Sequence, residues 1–240
     1  MILLFDIDGT LLSCGGAGRR SLERAFQEVL GRSDALSGVR LAGSTDRQII
    51  EDGLSVVLAR PPEPSDPIEV LLACYLEILE DELALDAPGY RVFDGVTELL
   101  EALSADTRFV LGLATGNVER GARLKLERGG LNRFFEFGGF GCDAKQRAAL
   151  VQRGVERGLE KAQARGLPLG REHVWVLGDT AKDVEAAREA GVSAIGVLAG
   201  SHHHEELQQA QPSLIVDSLG SSAFWQWLGL SSPNPQRTKT

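Results

Sequence analysis

The chain has few cysteines, no basic excess and no long apolar run, and each shortage removes a class of function. Its three cysteines, Cys14, Cys74 and Cys142, are an odd number at wide spacing. They form no C-x-x-C pair of the kind that holds zinc, and they make no disulfide framework. Reduced thiols in a cytoplasmic compartment are the expectation. Twenty-five Lys and Arg face 34 Asp and Glu, for a formal charge of −9. Such a chain has no general basic surface to displace counterions from nucleic-acid phosphates, although local basic residues can still hold a small anion. No apolar stretch approaches the ~18 residues of a membrane span, and the N-terminus shows no basic leader. The expected partner is therefore a small molecule rather than nucleic acid or membrane, and the expected state is a monomer or homodimer. No internal repeat is found. Ser-His-His-His-Glu at 201–205 reads as a solvated helix start rather than a metal site.

What is present is the composition of a soluble globular protein, 43% apolar and 25% charged. The length suits one large domain, or one domain with a smaller companion. Short apolar runs at Met1–Phe5, Phe109–Ala114, Val174–Leu177, Ala194–Leu198 and Leu214–Val216 do not alternate with polar residues. That pattern suits parallel strands covered on both faces. Helical patterns lie between them, at Gly95–Leu103, Val118–Arg128, Arg147–Arg165 and Ala181–Ala190. Strand–helix alternation of this kind predicts an α/β fold with a doubly wound parallel sheet.

Residues 15–88 break the rhythm with three helical patterns and no strand. The first carries Leu22, Ala25, Phe26, Val29 and Leu30 and stops at Gly31. The second starts at Thr45-x-x-Gln48, a capping-box spacing. The third carries Ile68, Leu71, Leu72, Tyr75, Leu76 and Leu79. The expected organisation is a core of residues 1–14 and 89–230, a helical insert of 15–88 and a polar, disordered tail of 231–240. Trp225 and Trp227 are expected to close the last helix onto the core, because indoles bury large areas.

The first strand runs straight into Asp6-Ile7-Asp8-Gly9-Thr10. Two carboxylates at the end of a buried strand are costly unless something positive meets them. Three other segments also follow predicted strands or open a helix: Thr115-Gly116-Asn117, Gly178-Asp179-Thr180-Ala181-Lys182-Asp183, and Asp143-Ala144-Lys145-Gln146-Arg147. In an open α/β sheet the carboxyl ends of the strands form the ligand crevice. There Asp6, Asp8, Asp179 and Asp183 would repel one another unless a cation intervened. A hard divalent ion such as Mg²⁺, with oxygen ligands, fits that set. Thr115, the backbone N–H of Gly116 and a cation from Arg147 or Lys145 would then hold a phosphate.

D-I-D-G-T-L, an apolar strand ending in T-G-N, a basic residue, and G-D-T-x-x-D together resemble the haloacid dehalogenase-like hydrolase superfamily over residues 1–220. The position of the insert is similar to the helical cap of its phosphoglycolate phosphatase and β-phosphoglucomutase subgroup. The resemblance implies a Mg²⁺-dependent phosphatase acting on a small phosphomonoester. Asp6 would be the nucleophile that forms an aspartyl-phosphate. Asp8 would protonate the leaving oxygen and later activate water. Mg²⁺ would be held by Asp6, the Asp8 carbonyl and Asp179, with Asp183 holding the ion or its water. Thr115 would bond the phosphoryl oxygen, helped by Gly116 and Asn117.

The basic segment departs from the family's common Lys-Pro, so the resemblance does not decide between Arg147 and Lys145. Arg147 is favoured because it opens the helix. In the insert, Ser44, Thr45 and Arg47 are candidate substrate contacts, with helix capping the simpler role for Thr45. Arg19 and Arg20 near the junction are further candidates, and Cys14 is expected to be a buried thiol. The alternatives are a β-phosphoglucomutase-like phosphotransferase, which shares every core residue, and a non-catalytic protein that binds Mg²⁺ and phosphate.

Overall fold

The computed structural model describes residues 1–84, 89–201 and 204–232. His202, His203, most of the expected tail (233–240) and residues 85–88 at the end of the insert lie outside the described residues. Strand β1 (Ile2–Phe5) turns into β2 (Leu12–Cys14), and three helices follow: α1 (Ala17–Leu30), α2 (Asp46–Leu58) and α3 (Ile68–Ala84). Then come β3 (Tyr90–Val92), α4 (Val96–Ala105), β4 (Val110–Ala114), α5 (Glu119–Arg128), β5 (Gly138–Gly139), α6 (Arg147–Ala164) and β6 (Val174–Gly178). The chain continues through α7 (Ala181–Glu189), β7 (Ser193–Val197), α8 (His204–Gln209), β8 (Leu214–Val216) and α9 (Ser222–Trp227).

Six strands form one parallel sheet in the order β5-β4-β1-β6-β7-β8. The chain order reverses about β1, the first strand, which sits between β4 and β6 with Ile2 level with both Val110 and Val174. Successive side chains of a strand point to opposite faces, and the packing follows that rule. Leu3 and Phe5 join Leu111, Leu113 and Leu177 in one apolar cluster. Ile2 and Leu4 join Val110, Val174 and Val176, packed with Leu150 and Val151 of α6 and Val184 of α7, in the other. Both faces are covered, which is why these runs read as continuously apolar. The doubly wound α/β fold expected from the sequence is the fold found.

Two features differ from the sequence reading. β2 and β3 pair antiparallel, Leu12 with Val92 and Cys14 with Tyr90, outside the main sheet. β5 is a glycine pair, poor in intrinsic strand preference, held by Leu113 and Thr115 donating their N–H groups to Phe137 O and Gly139 O. Segments this short carry no readable period.

In the insert, α1 and α3 lie side by side, burying Leu22, Ala25 and Phe26 of α1 and Leu71, Tyr75 and Leu79 of α3. Phe26 is fully buried, and truncating such a side chain to Ala costs about 3–5 kcal/mol. Gly31 ends α1 at φ 68°, donating to Gln27 O at 2.9 Å. Thr45 caps α2 by accepting from Gln48 N at 3.2 Å. The return arm of a capping box is absent, because Gln48 Nε2 donates to Asp52 instead. At the C-terminal end, Trp225 is buried, and Trp227, 39% exposed, meets Trp175 edge-on at 4.9 Å.

Candidate active site

The ends of β1, β4 and β6 bring the acidic and hydroxyl residues to one edge of the sheet. Past β1, Asp6 N donates to Leu177 O, and Leu11 N and Leu12 N both donate to Ile7 O, which closes a tight turn. Gly9 sits in that turn at φ 83°, and a Cβ there would lie 2.2 Å from an Asp179 oxygen. Only glycine meets both conditions, so this one residue lets the first and third strand ends approach.

Asp6, Asp179 and Asp183 each offer a carboxylate oxygen within 4.8 Å of the others, and all three are buried. Burial pushes the Asp179 carboxyl up to about 8, with Asp183 and Asp6 adding to the effect. Burial likewise pushes Asp6 up to about 7, against the pull of Arg147 and helped by Asp183 and Asp8. Asp179 Oδ1 is buried without a hydrogen-bond partner. An orphaned carboxylate oxygen inside an acidic cluster fits a divalent cation with oxygen ligands.

Asp183 is already engaged. Its Oδ1 accepts from Arg147 Nε and Nη2 at 3.0 and 2.5 Å, and its Oδ2 accepts from Thr180 N and Oγ1 at 3.1 and 2.6 Å. Arg147, the first residue of α6, also lies 3.1 Å from Asp6. Its side chain is 9% exposed; burial opposes its charge, but Asp183 and Asp6 hold its pKa above the usual arginine range. Lys145 lies elsewhere, 56% exposed and paired with Glu51 of α2. Of the two candidate cations, the structure brings Arg147 to the cluster and leaves Lys145 outside, because only Arg147 springs from the helix that packs on the sheet.

Beside this cluster is a second charged group, built around Asp8. Asn117 Nδ2 donates to Asp8 Oδ2 at 2.9 Å and to Thr115 Oγ1 at 2.8 Å. Lys125 Nζ donates to Asp8 Oδ2 and to Asn117 Oδ1, each at 2.6 Å. The Asp8 side chain opens onto the cavity and is 44% exposed. Burial opposes its charge, but the Lys125 ammonium and the bonds from Lys125 and Asn117 outweigh it and hold its carboxyl below the usual range. Burial also opposes the Lys125 charge, yet Asp8, Tyr75, Cys14 and Asp46 around it hold its pKa well above the usual range. Sequence reasoning missed Lys125. The signal was a lysine at helical spacing with Gly121, Ala122 and Leu126 on the buried stripe of α5. Cys14 is the expected buried thiol, pushed up to about 12 by burial and by Asp8.

The insert is seated on this edge. Asp46 N donates to Gly116 O at 2.9 Å, and Asp46 Oδ2 accepts from Val118 N at 2.9 Å. Arg147 Nη1 reaches Gly43 O at 3.2 Å and Lys182 Nζ reaches Ser44 Oγ at 2.8 Å. A Cβ on Gly116 would lie 2.4 Å from Ser44 O, so glycine is required for this approach. Ser44 and Arg19 line the cavity above the carboxylates. Arg20 instead pairs with Glu82. Thr45 is a buried cap, and Arg47 pairs with the buried Glu51 and the exposed Glu69 of the insert, so neither lines the cavity.

A family model described as haloacid dehalogenase-like hydrolase matches residues 3–197. The chain is 29% identical over 218 residues to the "Probable phosphatase IndB" of Dickeya dadantii, covering 91% of this chain and 90% of that one. It is 27% identical over 230 residues to a phosphoglycolate phosphatase of Vibrio cholerae, covering 92% and 94%. Among solved structures, CbbY from Rhodobacter sphaeroides in complex with phosphate shares the fold, with a TM-score of 0.67, 17% identity and coverage of 90% and 93%. No helix among the described residues is long and apolar enough to cross a membrane. With the match running through all three strand ends, and relatives of similar length named as phosphatases, the chain belongs to the haloacid dehalogenase-like hydrolases and is an enzyme of their phosphatase kind.

Proposed function

We propose that the protein hydrolyses small-molecule phosphomonoesters in a Mg²⁺-dependent reaction through an aspartyl-phosphate on Asp6. The observation that carries this reading is the buried Asp6–Asp179–Asp183 cluster with its orphaned Asp179 oxygen, set beside a separate carboxylate, Asp8, that has its own cation. Two carboxylates one residue apart are held in different environments: Asp6 lies in the cluster, where a bound cation would favour its ionised, nucleophilic form, and Asp8 lies outside it beside its own cation. Asp6, Asp179 and the Asp8 carbonyl would hold the ion, with Asp183 acting through water because its oxygens are taken by Arg147 and Thr180. When bound, Mg²⁺ offsets the phosphate charge and aligns it with Asp6.

An Asp6 oxygen attacks phosphorus, and the ester oxygen leaves with the proton of Asp8. Arriving phosphate brings negative charge beside Asp8 and favours its protonated form. Asp8, now ionised, takes a proton from water. That water's oxygen attacks the aspartyl-phosphate, releasing phosphate and restoring Asp6. The Thr115 hydroxyl, which accepts from Asn117, has its own proton free to donate to a phosphoryl oxygen, and Arg147 offsets charge on the far side. Residues 15–88 act as a cap on a core of 1–14 and 89–230, with consecutive glycines at φ 57° and 84° (Gly15 and Gly16) at the hinge. The test is phosphate release from an aryl phosphate. Chelation by EDTA should abolish it, excess Mg²⁺ should restore it, and Asp6→Asn should remove it. Full turnover in metal-free buffer would overturn the reading.

A further inference from the structure

Above the carboxylates lies a cavity of about 910 Å³. It persists with the insert seated on Gly116 and Arg147, so it is not a gap left by an undocked insert. Cavities of about 300–1,000 Å³ take drug-sized ligands, which puts this one near the upper end. At roughly 30 Å³ for each water-sized group, a two-carbon phosphoester of about nine non-hydrogen atoms fills less than a third of it. The remainder would be water, part of it against apolar walls.

Those walls come from both sides. The insert contributes Leu22, Leu41 and Ile49, and the core contributes Phe93 and Leu198. At the rim the Arg91 guanidinium lies 5.4 Å above the Phe93 ring, and no carboxylate among the described residues pairs with it. The carboxylates of the floor are assigned to ion and acid–base work, whereas the upper cavity joins these apolar side chains to polar ones, Arg19, Ser44 and His204 among them, with Arg91 a donor fork that pairs with no carboxylate among the described residues. A surface of this kind gains by covering with an apolar ligand face.

We infer that the substrate is a phosphomonoester of a bulky, partly apolar alcohol, larger than a two- or three-carbon acid, with a polar end that reaches Arg91. This rests on the phosphatase reading and adds the class of leaving group to it. It also separates this chain from the phosphoglycolate named for some of its relatives.

The experiment is a graded panel with Mg²⁺: 2-phosphoglycolate, glycerol 3-phosphate, glucose 6-phosphate, a nucleoside 5′-monophosphate and 1-naphthyl phosphate, with p-nitrophenyl phosphate as a generic control. The best bulky ester should exceed 2-phosphoglycolate at least tenfold in kcat/KM. Leu41→Trp narrows the cavity from the insert side and Leu198→Trp from the core side. Each should lower the bulky-to-small ratio of kcat/KM at least fivefold, and Arg91→Ala should raise KM for the bulky ester. Preference for 2-phosphoglycolate, or a ratio unmoved by both tryptophans in folded protein, overturns the inference. If no ester turns over, the generic control included, the phosphatase reading fails. Cavity preference is then read by calorimetric binding of the same esters to the Asp6→Asn protein, and tighter binding of the small esters overturns the inference there.

Discussion

Lys125→Met isolates the group that sets the state of Asp8. Methionine keeps most of the aliphatic stem and removes the ammonium, so the cavity left is small. Removing one partner of a buried ion pair costs about 3–5 kcal/mol. Here the lysine side is 6% exposed but the Asp8 side is 44% exposed, so water takes over part of the stranded charge. The expected loss is therefore lower, about 2–3 kcal/mol, or a fall in Tm of about 4–12 °C for a chain of this length.

The loss should depend on pH in a particular direction. The Asp8 carboxyl lies below its ordinary value in the folded protein, so its contribution is present above the usual carboxylate range and is lost as pH falls through the folded value. Lys125 lies above its ordinary value, so its contribution is present below the usual lysine range and is lost as pH rises through the folded value. The wild-type advantage should thus be a plateau around neutral pH that shrinks towards acid. Urea unfolding at several pH values, with magnesium absent, measures it. In turnover, Asp8 would lose an anchor rather than its chemistry, so kcat should fall by roughly 10–100-fold, the scale of a misplaced rather than a missing catalytic group. The acid limb of the pH–rate profile should move to higher pH, because an unpaired Asp8 ionises later. Wild-type stability together with a wild-type pH profile would refute the pairing as a functional device.

Raised carboxyls at Asp179 and Asp6, about 8 and about 7, mean that the metal-free protein carries protons the ion must displace. Magnesium binding at pH 7 should release on the order of one proton, read by calorimetry in buffers of different ionisation enthalpy. Those two groups also make the metal-free protein lose stability as pH rises from the usual carboxylate range through 7–8, and a flat profile would contradict the cluster's electrostatics. Asp8→Asn should cost about 10²–10⁴ in single-turnover phosphorylation by an alkyl phosphate and much less with an aryl phosphate; equal losses would remove Asp8 as the acid. Arg47→Ala should leave kcat/KM as it was and cost at most about 1 kcal/mol of stability, since Arg47 lies outside the cavity, Glu69 is exposed and the buried Glu51 keeps Lys145 as a partner. A large loss of activity would place it in the site after all.

Sequence reading succeeded where one side chain type at one spacing admits one arrangement. Apolar runs covered on both faces gave the parallel sheet, and acidic residues directly after them gave the edge where they gather. It failed where tertiary approach decides. Gly138–Gly139 is a strand only because β4 lies alongside it. Lys145 and Arg147 are two residues apart, and only the direction of the helix start separates them. Thr45 followed its capping signal, while Arg47, beside it, turned outward. Lys125 was visible as a charge on an apolar stripe, but its partner is Asp8, on the far side of the chain's longest excursion.

The strand that begins the chain is also the middle of the sheet. Its neighbours are made at residues 110–114 and 174–178, so one edge of β1 waits for β4 and the other stays open until β6 has been made. At about 5–20 residues per second, a ribosome needs on the order of ten to thirty seconds to get from the first strand to the second of those partners. Pairings over such distances are slow because loop closure precedes their reward. Through that interval Ile2–Phe5 keeps at least one unpaired edge, the condition in which an apolar strand is open to aggregation or to a chaperone. Nascent chains halted before residue 174 should leave this segment open to protease, and chains released beyond residue 197 should protect it. Asp6 would then reach its working position only after β6, whose Leu177 O accepts the Asp6 N–H, has been made.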